Sequence, residues 1–409
     1  MRLLILTDWP YPCDLTMLRE IFSKRLTARG HNLVWVMRPG ENHPGGVAKH
    51  SWNGNEVYAL PSEAYDPART AFRLMSGRLS EYSIVNKLPN PNQFDAVHVR
   101  NDLSMALLAI HFKRKTGLPY AHQISHLKAE STIQLAKEGC SDSPFKDVIK
   151  GGLGRILRRL VVTQSDVTLT ISRTMKKKLR ERGYSEPLVT FQTGAATNID
   201  PSSIDPKPFR REYGIAKTPL ILYMGSMSPM RNLEFLFDVL NHLRKERDVT
   251  LLMVGGRNPE NRRRLQAEAS NRGVSDNVIF TGWLESHQRV KQAIRAADIG
   301  LSPLPPTPIL RTNAPLKVLE YLAHETPVVA SDTPDHQTVI ETSGAGSVAT
   351  YDSEAFAEAI GNMLASPDKL KQMGRAGRQY VERERSFEVI TDRLVEIYGT
   401  YLFDRQIPE

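Results

Sequence analysis

Short runs of apolar and β-branched residues alternate with segments of helical period along nearly the whole chain. Strands that are each followed by a helix pair side by side through crossover connections, so this alternation predicts parallel sheets with helices on both faces. The predicted strands are residues 2–8, 32–37, 94–99, 119–124 and 167–171 in the first half, and 220–225, 249–255, 277–282, 298–302 and 327–331 in the second. We therefore expect an α/β protein.

Residues 195–219 interrupt this rhythm with four prolines and no apolar period, which is typical of a linker. The whole chain has 409 residues, too many for one ordinary hydrophobic core. We predict two doubly wound domains, residues 1–200 and 201–385, with a cleft between them.

The two cysteines, Cys13 and Cys140, belong to no cluster with metal-ligand spacing, and such sparse cysteine suits a reducing cytoplasm. Asp8 cuts the apolar run at the N-terminus well short of a signal-peptide core. No later run approaches the roughly 18 apolar residues of a membrane span. These features predict a cytoplasmic protein that is neither secreted nor transmembrane.

Much of the net charge of +9 is concentrated in one region. The segment from Lys146 to Arg182 contains eleven lysines and arginines and three acidic residues, which gives a local net charge of +8 (eleven minus three). The region suits an anionic membrane surface, but it equally suits a solvated helix face. Nucleic acid is not an expected partner, because no interleaved aromatics or recognised motif accompany the charge.

Three segments of the second half follow predicted strands, where doubly wound domains bind ligands and helix N-termini offer N–H groups to phosphates. In the first segment, a strand ends at Gly225 and Ser226, and a helix begins near Arg231, whose guanidinium fits two phosphate oxygens. The second segment consists of Gly255, Gly256 and Arg257. Its glycine pair lets the backbone approach a flat ring or a ribose.

The third segment comprises Asn313, Ala314, Pro315, Leu316, Lys317 and Glu320. Pro315 suits the first turn of a helix. Lys317 and Glu320 are three residues apart and share one helix face, so a cation for phosphate and a carboxylate for a ribose diol are presented together. Each of the three segments also has an ordinary interpretation, as a turn or as a surface ion pair.

The run PLKVLEYLA at residues 315–323, followed by PVVASD at residues 327–332, resembles the donor-site helix and next strand of the retaining GT-B glycosyltransferases, in particular glycosyltransferase family 4. The glycine loops at 225 and 255, FTGW at 280–283 and AADI at 296–299 precede it in the family's order. The resemblance is close over residues 220–365 and looser in the N-terminal half. It implies two facing Rossmann-like domains, with residues 386–409 forming a helix that packs back on the first.

By this resemblance, Glu320 holds the donor ribose, and Arg231 and Lys317 bind the diphosphate of a nucleoside-diphosphate sugar of UDP or GDP type. Two positions depart from the family pattern. Ser226 replaces an arginine that often follows the loop glycine, and Thr312 replaces a glutamate that contacts sugar hydroxyls. Thr312 is therefore a candidate acceptor or sugar contact, and the sequence leaves the identity of the sugar open.

In the first half, the run PYAHQISHLKAE at residues 119–130 places polar residues just after a strand. His126 and Glu130 occupy positions that lie beside the transferred sugar in similar enzymes. Cys13-Asp14-Leu15-Thr16 replaces the family's glycine-rich first turn. Asp14 suits a helix N-cap better than a catalytic base, although it is also a candidate acceptor contact.

The sequence thus predicts a glycosyltransferase with His126, Arg231 and Lys317 as catalytic residues, a glycan or lipid-linked acceptor, and retention implied by the resemblance. No carboxylate cluster of metal-ligand character occurs in these segments, so we expect neither a metal nor another cofactor. A nucleotide-sugar epimerase and a non-catalytic, membrane-peripheral nucleotide-sugar-binding protein are the alternatives. A nicotinamide oxidoreductase is disfavoured, because no Gly-x-Gly-x-x-Gly follows the first strand.

Overall fold

A computed structural model describes residues 1–40, 46–75, 87–137, 139, 141–185, 187–215, 218–314 and 316–403. The chain forms two compact units. The first unit comprises Met1–Gln192 together with Ile390–Glu409, and the second comprises Thr193–Val389.

The first unit contains an eight-stranded sheet. Its strands are β1 (Arg2–Pro10), β2 (Asn32–Arg38), β3 (Ala48–Trp52), β4 (Asn55–Ala59), β5 (Ala96–Arg100), β6 (Tyr120–Ile124), β7 (Val167–Thr170) and β8 (Leu188–Thr190). Their order is β3-β4-β2-β1-β5-β6-β7-β8, and every neighbouring pair is parallel except β3 and β4. The central strands are buried on both faces, as expected for parallel strands between two helical layers.

The helices of the first unit are a π-helical segment at Leu18–Leu26, then α1 (Pro67–Met75), α2 (Leu103–Thr116), α3 (Lys128–Lys137), α4 (Pro144–Gln164) and α5 (Arg173–Glu181). Asp102 caps α2 by accepting the N–H of Met105 at 2.8 Å, and Gly117 ends that helix in the left-handed conformation. Later in the chain, the hydroxyl oxygen of Tyr398 lies 2.8 Å from Nδ1 of the buried His98 of β5, and the two side chains form a hydrogen bond. Four apolar side chains of this last segment, Ile390, Leu394, Tyr398 and Leu402, are buried, and the segment belongs to the first unit.

The second unit contains a six-stranded, wholly parallel sheet. Its strands are β9 (Leu220–Gly225), β10 (Thr250–Gly255), β11 (Val278–Gly282), β12 (Ile299–Ser302), β13 (Val328–Ser331) and β14 (Gly346–Ala349). The helices are α6 (Lys207–Glu212), α7 (Phe235–Leu243), α8 (Pro259–Asn271), α9 (His287–Ala296), α10 (Leu316–Ala323), α11 (Pro334–Ser343), α12 (Ser353–Leu364), α13 (Pro367–Tyr380) and α14 (Phe387–Tyr398), the last of which continues into the first unit.

The order of the second sheet is β11-β10-β9-β12-β13-β14. Successive strands are added first on one side of β9 and then on the other, so the direction of winding reverses between β9 and β12. The loops that leave such a reversal point diverge, and the crevice between them is where doubly wound sheets bind ligands. The first sheet reverses in the same way between β1 and β5.

All ten predicted strands are present, most within one or two residues of the predicted bounds. The sequence did not reveal β3, β4, β8 and β14, which lie toward the sheet edges, away from the reversal points. The segment interpreted as a linker contains α6, and Phe209 of that helix is fully buried in the second core. Part of this segment is therefore packed against the second unit.

Among the described helices, none combines the length and the apolar character needed to cross a bilayer.

Candidate functional site

Strands β9 and β10 each end in a glycine, and their backbones come into contact there, at the carboxyl-terminal edge of the second sheet. Gly225 ends β9 with φ at 141°, and Gly255 ends β10 with φ at 115°. A Cβ on Gly255 would lie 2.4 Å from the carbonyl oxygen of Gly225, so no side chain fits there. The N–H of Gly256 donates to that same oxygen at 3.2 Å. The result is a floor of bare backbone beside the reversal point.

Helix α10 is locked to this floor through Tyr321. The Tyr321 ring is packed so closely against Gly300 of β12 that a Cβ there would lie 2.4 Å from the ring. The Tyr321 hydroxyl accepts the backbone N–H of Met224 at 2.8 Å. Because Tyr321 is fully buried, it fixes how the first turns of α10 present Lys317 and Glu320.

Lys317 lies over the aromatic face of Tyr223, with Nζ 3.8 Å from the ring centroid. Burial lowers the pKa of Lys317 well below its ordinary value, and the positive charge of Arg231 lowers it further, while Glu320 opposes both. Arg231 belongs to the short 3₁₀ turn Pro229–Arg231 that follows β9. The predicted phosphate ligands, Arg231 and Lys317, are thus brought within electrostatic reach of each other.

Glu320 is one turn further along α10 and is partly exposed. Burial raises the pKa of its carboxyl to about 7, and Lys317 opposes this shift. The group therefore exchanges its proton near neutral pH in the unliganded protein. An acid whose pKa is raised beside a cation on a ligand-binding edge is typical of a functional site.

His336 is a member of this cluster that the sequence did not single out. Its Nδ1 lies 2.9 Å from the carbonyl oxygen of Ser331, and its Nε2 lies 3.0 Å from the Ser302 hydroxyl. Since a carbonyl only accepts, Nδ1 carries the hydrogen and Nε2 accepts from Ser302. Burial lowers the pKa of His336 to about 4, and the charges of Lys317 and Arg231 add to the effect. The imidazole is therefore neutral at pH 7 and supports the strand ends beneath the two cations.

The remaining predicted donor residues lie along the same edge. Ser226 is exposed, and its carbonyl accepts the Tyr223 hydroxyl at 2.7 Å. The guanidinium of Arg257 lies 4.2 Å from the centroid of the half-exposed Trp283 ring. The chain just ahead of α10 carries Asn313 and Ala314, then Pro315, which is outside the described residues, and the helix itself begins at the exposed Leu316.

Thr312 is buried ahead of α10. It is 1% exposed, and its hydroxyl donates to the carbonyl of Ile309 at 2.7 Å within a 3₁₀ turn. Its role as an acceptor or sugar contact stays a prediction.

The first unit has a cavity of about 300 Å³ at the carboxyl ends of β5 and β6. Its lining includes Tyr65, Asp102, His122, His126, Lys128 and Lys150. The Tyr65 hydroxyl and Nδ1 of His122 are buried and have no hydrogen-bond partner among the described residues. Such groups ordinarily pair with a ligand or an ordered water.

Burial shifts the pKa values of two titratable groups in this cavity in the direction that favours their neutral forms. Burial raises the pKa of Asp102 to about 6, against the opposing bond from the Met105 N–H. Burial also lowers the pKa of His122 to about 3, with His98 and Arg158 adding to the shift. Together with Lys128 and Lys150, the cavity offers a polar, basic lining beside apolar walls.

His126 lines this cavity as a partly exposed side chain, with Nε2 2.8 Å from the Ser131 hydroxyl. Its catalytic role stays a prediction. Asp14 is exposed and lies two residues before the helical backbone begins at Thr16, and its role also stays a prediction.

Glu130 is buried in an ion pair. It is 5% exposed, and both carboxylate oxygens accept from the guanidinium of Arg158 at 2.6 and 2.7 Å. Arg182 contacts the same carboxylate. This pairing anchors α3 to α4, and the role of Glu130 as an acceptor or sugar contact stays a prediction.

Replacing Arg158 with methionine is expected to destabilise the protein by about 3–5 kcal/mol, because it leaves the buried Glu130 carboxylate without its bidentate partner. Burial by itself raises the pKa of Glu130, but Arg158 and Arg182 outweigh it and lower the pKa to about 2. The stabilisation is therefore present above the ordinary value of 4.5 and is lost as pH falls toward 2. Denaturant unfolding at pH 7 and pH 3 measures both effects.

The neighbouring Arg159 provides the control for this experiment. It is exposed, and its guanidinium donates to the backbone carbonyls of Arg182 and Gly183 and lies over the Tyr184 ring, so Arg159→Met should cost less than about 1 kcal/mol. Equal destabilisation by the two variants would contradict the role assigned to the Glu130 pair.

Among the described residues, no three His, Cys, Asp or Glu side chains come together as metal ligands do.

Two Rossmann-like domains with winding reversals at their ligand edges are the GT-B arrangement of glycosyltransferases, and solved structures share it. Sucrose-phosphate synthase from Thermosynechococcus elongatus matches with a TM-score of 0.72 at 17% identity, covering 98% of this chain and 99% of that one. Anabaena Alr3699/HepE, solved in complex with UDP and glucose, matches with a TM-score of 0.70 at 15% identity, covering 98% and 100%. At these identities the likeness establishes the fold.

The sequence itself matches the family described as Glycosyl transferases group 1 over residues 218–366, and the Glycosyl transferase 4-like domain over residues 22–193. The chain belongs to the group 1 glycosyltransferases, glycosyltransferase family 4. It is 24% identical to the MMP alpha-(1->4)-mannosyltransferase of Mycolicibacterium hassiacum over 75% of this chain and 70% of the relative. It is also 24% identical to the alpha-monoglucosyldiacylglycerol synthase of Streptococcus pneumoniae, over 78% and 68%.

Proposed function

We propose that this glycosyltransferase uses a nucleoside-diphosphate sugar of UDP or GDP type as donor and a glycan or lipid-linked acceptor. The observation that carries the proposal is the convergence of Arg231, Lys317 and Glu320 beside the glycine floor of the second sheet. Cations beside bare backbone fit a diphosphate, and a carboxylate one turn away fits a ribose diol. The names of the relatives favour a mannosyl or glucosyl group.

In this proposal, Lys317 and Arg231 stabilise the negative charge that develops on the leaving diphosphate. Without a ligand, the positive charge of Arg231 raises the free-energy cost of the charged form of Lys317. A bound diphosphate reverses that cost, because it supplies the negative charge that the pair lacks. Lys317 is positioned over the Tyr223 ring before the reaction, so little reorganisation of this cation is needed at the transition state. Retention of anomeric configuration is proposed from family membership.

The acceptor is proposed to bind in the cavity of the first unit. Its unpartnered Tyr65 hydroxyl and His122 nitrogen are suited to acceptor hydroxyls, and Lys128 and Lys150 to an acceptor with an anionic group. His126 on the same lining is proposed to contact the reacting groups.

The proposal is tested by incubating the protein with UDP, GDP, ADP and CMP and measuring the unfolding temperature. A ligand that binds only the folded state raises it. We expect one nucleoside diphosphate to stabilise the protein. The corresponding nucleoside-diphosphate glucose or mannose should be turned over when an extract that contains glycan or lipid-linked acceptors is added. Conversion of the donor without acceptor would favour an epimerase, and nucleotide binding without any turnover would favour a non-catalytic binding protein.

Activity is expected to persist in excess chelator. Arg231 and Lys317 provide the positive charge that a divalent cation otherwise provides beside a diphosphate. Sugar transfer is measured with and without EDTA after exhaustive dialysis. Abolition by EDTA, with recovery on adding Mg²⁺ or Mn²⁺, would overturn the metal-independent proposal.

A further inference from the structure

Helix α4 exposes an unusual amount of apolar surface. Of the ten large apolar side chains that are strongly exposed among the described residues, six belong to this helix. They are Phe145, Val148, Ile149, Leu153, Ile156 and Leu160. Phe145 is 79% exposed and Ile156 is 67% exposed. Scattered apolar residues are ordinary on protein surfaces, but a contiguous group of this kind marks an interaction site.

The six side chains lie on one stripe. At about 100° per residue, their positions fall within an arc of roughly 140° of the helix. The helix has 21 residues, and a helix of that length extends roughly 30 Å. The stripe is therefore a continuous face and not a chance exposure of separate residues.

The opposite face of α4 is firmly anchored. A Cβ on Gly151 would lie 2.4 Å from the Ile133 side chain, so α3 and α4 are in close contact there. Arg158 on the same side is buried in its pairing with Glu130. The apolar stripe therefore faces solvent because the opposite face of α4 is packed against the rest of the first unit.

Basic side chains border the stripe on both sides. Lys146 lies along one edge, with Lys150 beyond it, and Arg155 lies along the other, with Arg159 just inside it, all of them exposed. Arg155 also contacts the Glu130 carboxylate at 3.5 Å. Asp147 is the only acidic residue of the helix. An apolar face with cationic borders is complementary to an anionic lipid surface, in which apolar side chains enter the acyl boundary and cations meet headgroups.

We infer that the outer face of α4 docks onto an anionic lipid bilayer. A second copy of the chain is a poorer occupant, because a two-fold contact through this face would bring the same cationic borders together. Lys150, Gly151, Gly154 and Arg158 also line the cavity of the first unit. These residues lie on the side of α4 away from the stripe, so docking places the cavity about one helix diameter, roughly 10 Å, from the lipid interface, a distance that suits an acceptor carried by a lipid.

Vesicle flotation of the full chain tests the inference, without reference to catalysis. Wild type should float with vesicles of phosphatidylcholine and phosphatidylglycerol, but not with phosphatidylcholine alone, and raising the salt concentration should weaken recovery. Replacing Phe145 and Ile156 together with serine should lower the bound fraction at least about tenfold, because two strongly exposed apolar groups no longer enter the bilayer.

Phe72→Ser is the matched control, because Phe72 is 68% exposed on α1, outside the stripe, and its loss should leave flotation unchanged. Equal recovery from neutral and anionic vesicles, or equal flotation of wild type and the double variant, would overturn the inference. A wild-type dimer that becomes monomeric in the double variant, with no flotation of either, would assign the face to a second copy. Because no donor is present, these results are independent of whether nucleotide-sugar transfer is found.

Discussion

Lys317→Met is expected to lower kcat for sugar transfer by about 10²–10³-fold, the usual effect of removing one preorganised group that stabilises transition-state charge. Methionine keeps most of the volume over the Tyr223 ring and removes only the cation. The same change should leave the unfolding temperature of the unliganded protein equal or higher. The reason is that burial and Arg231 disfavour the charged form of Lys317 in the empty site.

The two readouts separate a functional role from a structural one. Steady-state kinetics and thermal unfolding are measured on the same preparations, with Lys371→Met, at an exposed position of α13, as the control. A loss of activity that is matched by a loss of stability would mean that Lys317 supports the fold. A change in KM alone would mean that it binds substrate and transition state equally.

Glu320→Gln is expected to weaken nucleoside-diphosphate binding by roughly 10–100-fold, as is typical when charge-assisted hydrogen bonds become neutral ones. The wild type should also bind more weakly as pH falls from about 8 to about 6. Its carboxyl has a pKa of about 7, and the protonated form accepts fewer hydrogen bonds from the ribose. Isothermal titration at several pH values measures both effects.

The variant itself should show little of this pH dependence, because glutamine does not titrate in the range. Glu358→Gln, at an exposed position of α12, should behave like wild type. In the unliganded protein the raised pKa has the opposite consequence for stability. As pH rises from the ordinary value of 4.5 toward 7, the wild type should lose stability relative to Glu320→Gln, which lacks this titration. A pH-independent wild type would contradict the role of the carboxylate.

The central strands could be predicted because burial on both faces gives them continuous apolar runs. Strand β3 could not be predicted from its own residues, which are mostly polar and exposed. It exists because its backbone pairs with β4, and β4 in turn pairs with β2. A strand that depends on its neighbours has little signal of its own.

The cluster at the candidate site could be predicted where its residues are close in sequence, as Lys317 and Glu320 are. Its supports could not be, because Tyr223, Tyr321 and His336 come from three separate elements and meet only in the fold. The ion pair of Glu130 could not be predicted for the same reason. Its partner Arg158 lies 28 residues away, and nothing in the local pattern shows that the two pair.

The return of the chain to the first unit has a consequence for synthesis. As the polypeptide leaves the ribosome, residues 193–389 emerge before the segment that supplies Tyr398 to His98. The second unit can therefore reach its native state while the first still lacks a piece of its interior. Until that segment is made, the first unit exposes apolar surface that is buried in the native protein. A chain truncated near residue 390 contains every strand, but it is expected to aggregate.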